Sequence, residues 1–561
     1  MTAALTSCSS FLDEHVPQAT LSDEQVKTAE NAEAMVVSAY AIFTTAEDIN
    51  SSFSMWNFDV RSDDAYKGGS GTSDGDVFHQ LEVQQGVLTT NWNINDMWVR
   101  LYNSLSRVNS AIALLNASDY DMKQQRMAEM KFLRAYAHFL LKRLYKNIPF
   151  VMNENMTYDE YNNLSNREYT NDEGWQLIID DLTEAFNTLP ATQIDKGRPT
   201  KASAAAFLAK VYLYKAYRQD DANTNQVTSI NEQDLQKVIE YTNPALYANY
   251  GLEADIHNNF RPEEQYENGV ESLWAIQYSR NDGSTYGNLN WSYGLIPPNI
   301  PGATDGGTDF YKPSQNLVNA YRTGADGLPL IDSFNQKDYD KATDNADPRL
   351  FLTVGMPGLP YMFNRNYMME ETSIWSRSNG LYGYYVTLKQ NVDPALIGSY
   401  LIKGSYWASS MNRIVFRYAE VLLNRAEAYA QLGQTQEAVT LINQIRTRAA
   451  GSTQMIANYP GAYGVKLYIT NYKGSYGKDD VVKMVKMERR LELGMESERF
   501  FDLVRWGDAA TVLNKYYAEE ISHCAIYTDA HFTANKDEYL PIPFSQISAS
   551  NGHYTQNIGN W

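Results

Sequence analysis

Stretches of clear helical period alternate along this chain with stretches that have none. The strongest period covers residues 411–450, MNRIVFRYAEVLLNRAEAYAQLGQTQEAVTLINQIRTRAA. Val415, Tyr418, Leu422, Ala426, Tyr429 and Leu432 recur there at spacings of three and four, which places them on one helix face. Gly433 predicts the end of that helix, and Thr435 with Glu437 and Ala438 opens another, with Val439, Ile442 and Ile445 as its facing stripe. Ala426, Ala428 and Ala438 are small enough to let the two helices approach closely. The pattern is the helix–turn–helix of a tetratricopeptide repeat.

Weaker copies lie upstream. Residues 124–145 put Met127, Met130, Leu133 or Arg134, Ala137 and Leu141 on one face, and residues 200–217, after Pro199, have alanine-lined packing positions. Residues 92–115 and 172–189 read as their partner helices, and residues 479–507 as another long helix. About four pairs can be drawn, against roughly three needed to bury a continuous stacked face. The predicted fold class is mainly α: a tetratricopeptide-like helical repeat scaffold of about four pairs with an irregular, loop-rich binding lobe.

That lobe spans residues 250–410, where Gly, Pro, Asn and Tyr dominate and runs such as residues 383–388 predict only brief strands. Residues 53–95 have the same loop character. Long loops on a rigid frame are where binding residues tend to lie.

Composition sharpens this. The chain of 561 residues has 41 tyrosines and 13% aromatics, many in Gly/Asn/Ser-rich stretches that no helix would bury, which suits a ligand with apolar faces and hydroxyls. Trp291, Tyr293 and Trp375 are exposed-aromatic candidates, or simply packing residues of the lobe. A net charge of −20 without a basic stripe argues against nucleic acid and against docking on anionic lipid. No run of about 18 apolar residues is present to span a membrane. The opening MTAALTSCSSFLDE contains Leu5-Thr6-Ser7-Cys8, which resembles a bacterial lipobox without its apolar leader; the plainer alternative is a stray cysteine. Cys8 and Cys524 are the two cysteines, so a lipidated Cys8 leaves no pair to bridge, and residues 9–20 read as a tether.

Catalytic signatures are poor. The seven histidines have no HExxH spacing, two cysteines cannot build a Cys-rich zinc site, and GxSxG and GxxxxGK are absent. A glycosidase needs two carboxylates, and among 67 acidic residues no pair stands out. No cofactor and no metal site is expected. Glu488, Arg489, Arg490, Glu492, Glu496, Glu498 and Arg499 read as i,i+4 ion pairing along one helix, in preference to carboxylates held by arginines for catalysis.

The segment KGGSGTSDGD, residues 67–76, has four glycines and two aspartates. A dinucleotide loop would need glycine where Asp74 stands, and Asp74-x-Asp76 is only a fragment of a calcium loop. A neutral polyol fits better: a carboxylate accepts hydroxyl protons, glycines admit the ligand to the backbone, and Trp92 offers an apolar platform. The alternative is a solvated loop.

The segments RYAEVLLNRAEAYAQLG, ERRLELGMESERFFDLVRWG and EYLPIPFSQI, with EMKFLRAYAHFLLKRLYKNIPF and GRPTKASAAAFLAKVYLYKAY upstream, resemble the SusD-like (SusD/RagB) outer-membrane lipoproteins of Bacteroidetes. The likeness runs over nearly the whole chain in order. It implies a surface-exposed lipoprotein of the outer membrane, anchored at Cys8, that binds glycan without catalysis and lids a SusC-like TonB-dependent transporter. It also implies a division into an N-terminal tether (1–20), an N-terminal helical region (21–250), the binding lobe (251–410) and C-terminal repeat helices with the family tail (411–561).

The segments DINSSFSMWNFDVRSDDAYKGGSGT, TTNWNINDMW, WSRSNGLYGYYV and KGSYWASS are similar to the fructan-binding branch, which captures levan. That resemblance implies ligand contacts at Asp48, Asn50, Asp74, Trp92, Arg377 and Tyr406. Polar groups among these would bond hydroxyls, while Trp92 and Tyr406 would pack on ring faces. Each has a structural alternative: Trp92 as a helix cap, Asp48 as a helix-end residue, Arg377 paired with Glu370 or Glu371, and Asn50, Asp74 and Tyr406 as ordinary loop positions. Residues 300–309 depart from that branch, which leaves linkage and chain length open. Other glycans, peptides, or glycosidase action on the same polymer are the alternative functions.

Overall fold

The structure, a computed structural model, describes residues 27–44, 59–280, 282–283, 287–404 and 406–561. Cys8, Asp48 and Asn50 lie outside the described residues.

In chain order the elements that build the frame and the site begin with helix α1 (Ala29–Ala41), strand β1 (Ala65–Gly68) and helix α2 (Asp76–Val83). Helices α3 (Trp92–Ala117), α4 (Lys123–Tyr145), α5 (Asn171–Thr188), α6 (Lys201–Ala216) and α7 (Glu232–Tyr241) follow. The irregular lobe supplies strands β2 (Ser272–Ile276), β3 (Phe310–Pro313), β4 (Leu401–Lys403) and β5 (Trp407–Ser409), and β6 (Arg413–Arg417) follows it. Helices α8 (Tyr418–Gln431), α9 (Thr435–Gly451), α10 (Lys478–Leu493) and α11 (Arg499–Trp506) complete the set.

Local chemistry sets the boundaries. Thr170 with Glu173, and Thr200 with Ser203, form reciprocal capping boxes at α5 and α6. Gly433, at φ 75°, turns the chain out of α8 in the left-handed conformation that glycine adopts without strain. From α3 to α9 each helix packs on the next in sequence, and α10 returns against both α8 and α9. This is the stacked helix-pair frame that the apolar period predicts. Its interior is close-packed around Ala204, Ala205, Ala209, Ala426 and Ala438, all fully buried.

Strand β6 pairs antiparallel with β2, Arg413 opposite Ile276 and Arg417 opposite Ser272, and so stitches the lobe to the frame. Residues 413–417 are therefore extended, α8 begins at Tyr418, and Val415 belongs to the strand rather than to the helix stripe. The segment extends instead of continuing the helix because SLWAI is available as a strand partner. Phe416 then joins a ring cluster with Phe207 at 4.8 Å, while Phe132 meets Trp274 at 5.0 Å.

The helix expected over residues 479–507 is broken between Leu493 and Arg499. Met495 and Ser497 take positive φ of 61° and 68°. The turn redirects Glu496 onto Arg417 and Lys389, and Glu498 onto Lys210 and Arg143. The adjacent charged residues likewise do not pair along one solvated helix. Glu492 is fully buried and accepts from Arg417 at 2.6 Å, from Arg349 at 3.0 Å and from Arg448. Glu488 meets Arg349 at 2.7 Å and Arg446 at 3.2 Å, Arg489 meets Asp502 at 2.9 Å, and Arg490 meets Asp64 at 2.7 Å. Burial alone would raise the Glu492 carboxyl, but the Arg448, Arg417 and Arg349 guanidiniums outweigh it and hold the group well below its ordinary value.

Tyrosine usage also differs from expectation. In the lobe Tyr293, Tyr311, Tyr321, Tyr361 and Tyr382 are buried, as is Trp375, so Tyr293 and Trp375 pack the lobe, and Trp291 is half-buried. Residues 76–83, expected as loop, form α2, whose Val77, Phe78 and Leu81 face inward.

Removing one partner from a buried charge cluster leaves the others uncompensated, at a cost of about 3–5 kcal/mol. Glu492→Gln is expected to lose stability on that scale in urea unfolding; an unchanged midpoint would show that the cluster is dispensable. Asp502 gives a pH signature. Burial opposes its ionisation, but Arg489 and Arg505 hold it down to about 2, against an ordinary 3.8. Its contribution is thus present above the ordinary value and is lost as pH falls toward the folded one. The urea midpoint should fall between about pH 4 and pH 2, less steeply in Asp502→Asn.

Candidate functional site

Strand β1 pairs antiparallel with β3, Ala65 opposite Pro313 and Gly68 opposite Phe310. The chain then leaves β1 into the Gly-rich loop, which folds around the side chain at its own start. Lys67 is fully buried, and its ammonium donates to the carbonyls of Gly68 at 3.0 Å, Gly71 at 2.9 Å and Asp74 at 2.6 Å. It also lies 5.2 Å from the Phe310 ring centre and 5.4 Å from that of Tyr382. Burial lowers the Lys67 pKa, with Glu82 and Asp74 opposing the shift. The lysine was in view in the sequence, but nothing there showed that the loop's carbonyls would turn inward onto it.

The glycines have an equally internal reason. A Cβ on Gly68 would meet the Asp309 carbonyl oxygen at 2.4 Å, and one on Gly69 would meet the Phe310 ring at 2.5 Å. These positions give clearance to β3 rather than to a ligand, whereas Gly71 faces open space.

Asp74 is half-buried and oriented. Its Oδ2 accepts from Ser70 N at 2.9 Å, from Ser70 Oγ at 2.8 Å and from Arg377 Nη1 at 3.3 Å. Burial would raise its pKa; the Ser70 hydrogen bonds and the charges of Arg377 and Lys67 outweigh that and lower it. Asp74 is thus an ionised acceptor with a fixed direction. Arg377 pairs with Asp74 and not with Glu370 or Glu371. Its Nη1 also donates to Thr308 O at 3.4 Å, and its backbone N–H donates to Asp309 Oδ2 at 3.2 Å. Asp309 is itself locked by Lys312 Nζ at 2.7 Å.

Trp92 is the first residue of α3, and the capping is done by Asn91, whose Oδ1 accepts from Asn93 N at 3.0 Å and Ile94 N at 3.4 Å. The indole is 49% exposed and stands edge-on to Phe78, ring centres 6.1 Å apart. Phe78 in turn packs beneath Gly75, which ties the indole to the Gly-rich loop. Tyr406, also 49% exposed, sits in the turn between β4 and β5, where its carbonyl accepts from Gly404 N at 2.8 Å. Lys403 of this hairpin donates to Asp305 O at 2.5 Å, within the segment that continues to Thr308, whose carbonyl accepts from Arg377.

One line of contacts therefore connects four of the six residues: Tyr406 through Lys403 and residues 305–308 to Arg377, then Asp74, the loop, Phe78 and Trp92. Two half-exposed rings end the line, and an oriented carboxylate–guanidinium pair lies between them. Such a surface can stack on apolar ring faces and bond hydroxyls. The divergent segment 300–309 is its middle, with Thr308 O and Asp305 O as contacts that sequence patterns do not reveal. Among the described residues no group of His, Cys, Asp and Glu is arranged to hold a metal ion.

Lys67→Met keeps the bulk of the side chain and removes the donor to three carbonyls. Amide exchange over residues 69–75 is expected to accelerate at least about tenfold, the effect of losing ~1.4 kcal/mol of local stability. Unchanged exchange would contradict the role of Lys67 as the loop's centre.

Comparison with known proteins agrees with this architecture. A family model described as the SusD family matches residues 270–561, and a second, described as starch-binding associating with outer membrane, matches residues 10–213. A SusD-like protein of Formosa agariphila is 26% identical over 515 residues, covering 91% of this chain and 90% of its own. A crystal structure of a SusD homologue from Bacteroides thetaiotaomicron has a TM-score of 0.71 at 19% identity, covering 95% and 97% of the two chains. Surface glycan-binding protein A of that organism, in complex with laminarihexaose, has a TM-score of 0.63 at 20% identity, covering 94% and 99%. The structural likenesses establish a shared fold, and the family model, spanning more than half of the chain, establishes membership: this protein belongs to the SusD family.

Proposed function

We propose that the protein captures an extracellular glycan without catalysis, on the surface between Trp92 and Tyr406, and delivers it to a SusC-like TonB-dependent transporter. Within the glycans we favour a fructan of the levan type, and Cys8 as the lipidated anchor to the outer membrane. The observation that carries the reading is that two half-exposed rings, Trp92 and Tyr406, are joined through the Asp74–Arg377 pair by one line of contacts. A net charge of −20 favours an uncharged polymer over a polyanionic one. Family membership, and a relative of the same fold in complex with laminarihexaose, support glycan as the ligand class. The fructan choice rests on the resemblance of the DIN, Gly-rich, TTNW, WSRS and KGSYW segments. Asp48 and Asn50 are proposed to complete the contact set.

A ring stacked on an indole contributes on the order of 1 kcal/mol, and each hydroxyl hydrogen bond about as much, which gives modest affinity and ready release to a partner. Trp92→Ala is expected to weaken levan oligosaccharide binding at least about tenfold in calorimetric titration, a loss of ~1.4 kcal/mol. The thermal midpoint should stay within about 2 °C, since the exposed indole supports little core. A collapsed melt would make Trp92 a core residue. Heat with laminarin but none with levan or inulin would replace the fructan assignment, and shortened levan products would overturn the non-catalytic reading.

A further inference from the structure

The loop that carries Arg377 has a second side. Ser376 donates to Gly383 O at 2.7 Å, closing a turn from which Tyr382, Tyr384 and Tyr385 follow within a few residues. These tyrosines, with Tyr66 and Tyr339, line a cleft of about 450 Å³. None of Asp74, Trp92, Arg377 or Tyr406 contributes to it. Its size falls in the range of about 300–1,000 Å³ that small-molecule clefts occupy.

The floor of the cleft is fixed. The Tyr66 hydroxyl bonds the buried Glu520 carboxylate and accepts from Gln315 N at 3.1 Å. Tyr385 donates to Gln315 Oε1 at 3.0 Å, and Gln315 Nε2 is held by Asn319 at 2.8 Å. The walls hold groups with unused bonding capacity. The Tyr339 hydroxyl is buried with no hydrogen-bond partner among the described residues. Lys341 and Glu371 line the cleft, and neither takes part in an ion pair among the described residues. His523, at the rim, faces Asp338 at 3.2 Å.

The partly exposed rings of Tyr339, Tyr384 and Tyr385, with a cation and a carboxylate that are unpaired among the described residues, are the chemistry that takes a sugar ring: apolar faces to stack on, with donors and acceptors around them. Asp340 and Glu371 balance or exceed Lys341 and His523, so the cleft does not select an anionic sugar. Tyr382 also forms the common wall, because its ring lies 5.4 Å from the Lys67 ammonium that centres the Gly-rich loop.

We propose that this tyrosine-lined cleft is a second saccharide-binding site, taking an uncharged sugar segment from the same polymer that Trp92 engages. The proposal rests on the reading of the protein as a glycan binder. A chain that reaches both sites gains affinity through effective concentration, without either site being strong alone.

The test compares wild type, Trp92→Ala and Tyr339→Ala/Tyr384→Ala, with Lys341→Ala as a half-exposed variant that leaves the aromatic walls intact. Levan, laminarin, levan tetrasaccharide and laminarihexaose are the probes, read by calorimetry for short chains and by affinity gel retardation for polymers. The expected result is two short-chain sites in wild type and one in each single-site variant. The double tyrosine variant should bind polymer at least about tenfold more weakly, and Lys341→Ala should shift the same way by less. Polymer and short-chain binding by both cleft variants equal to wild type would overturn the second site and leave the Trp92 reading standing. Loss in the cleft variants with Trp92→Ala unaffected would retain the cleft and overturn the Trp92 reading. No binding of any probe by wild type would overturn both. Should the double tyrosine variant melt early, Lys341→Ala decides.

Discussion

Burying Glu492 among three arginines is the arrangement on which the rest of the molecule depends. An unpaired carboxylate there would cost several kcal/mol, and each arginine alone would cost as much. Together they bond one another, and the elements that carry them are forced into one arrangement. Arg448 comes from α9, Arg417 from β6 and Arg349 from the irregular lobe, with Glu271 bridging Arg417 and Arg448 at 2.8 and 2.7 Å. Helix α10 is thereby the common anchor of frame and lobe. A hydrophobic contact would not impose such directional matching.

Helices α10 and α11 together reach the turn that precedes the candidate site. Arg490 bonds Asp64 and the Asp63 carbonyl, and Arg499 bonds the Asp63 carboxylate at 2.8 Å. Ser314, which follows β3, donates from Oγ to the Asp63 carbonyl at 2.7 Å and from its backbone N–H to the Asp64 carbonyl at 2.9 Å. This turn leads directly into β1, Lys67 and the Gly-rich loop. Charge pairing in the core thus fixes where the loop starts, Lys67 fixes its path, and Ser70 fixes the direction of the Asp74 carboxylate. A surface held this way is pre-organised, so a ligand docking on it would not have to order it first. It also explains a loop rich in glycine that touches its own protein more than it opens to solvent.

Helix pairs were legible in the sequence because apolar period survives in alanine-rich faces such as residues 200–217 and 418–445. The break at residues 494–498 was not, since Glu496 and Glu498 continue a helical charge pattern while their partners Arg417 and Lys210 lie 79 and about 290 positions away. Burial of the charged patch was hidden for the same reason: spacing shows i,i+4 neighbours, never distant ones. Val415 shows the converse error, an apolar position of correct burial trend assigned to the wrong element because a strand partner at residues 272–276 cannot be seen locally. In the site, Trp92 and Tyr406 stood out as aromatics in loop context, and both are half exposed. The contacts of Asp74 with Ser70 and Arg377, the Lys67 cradle and the Thr308 carbonyl depend on backbone direction, which composition does not carry. Tyrosine surplus pointed to a ligand, yet much of it fills the cores of lobe and frame, while Tyr384 and Tyr385 line the cleft.

The most direct test of capture at Trp92 is a crystal structure of the protein grown with levan oligosaccharide at saturating concentration. A sugar ring should then be stacked on the Trp92 indole, with hydroxyls within hydrogen-bond distance of Asp74 or Arg377 and the Gly-rich loop unmoved around Lys67. Sugar bound away from Trp92, with Asp74 and Arg377 bonded only to each other, would contradict it.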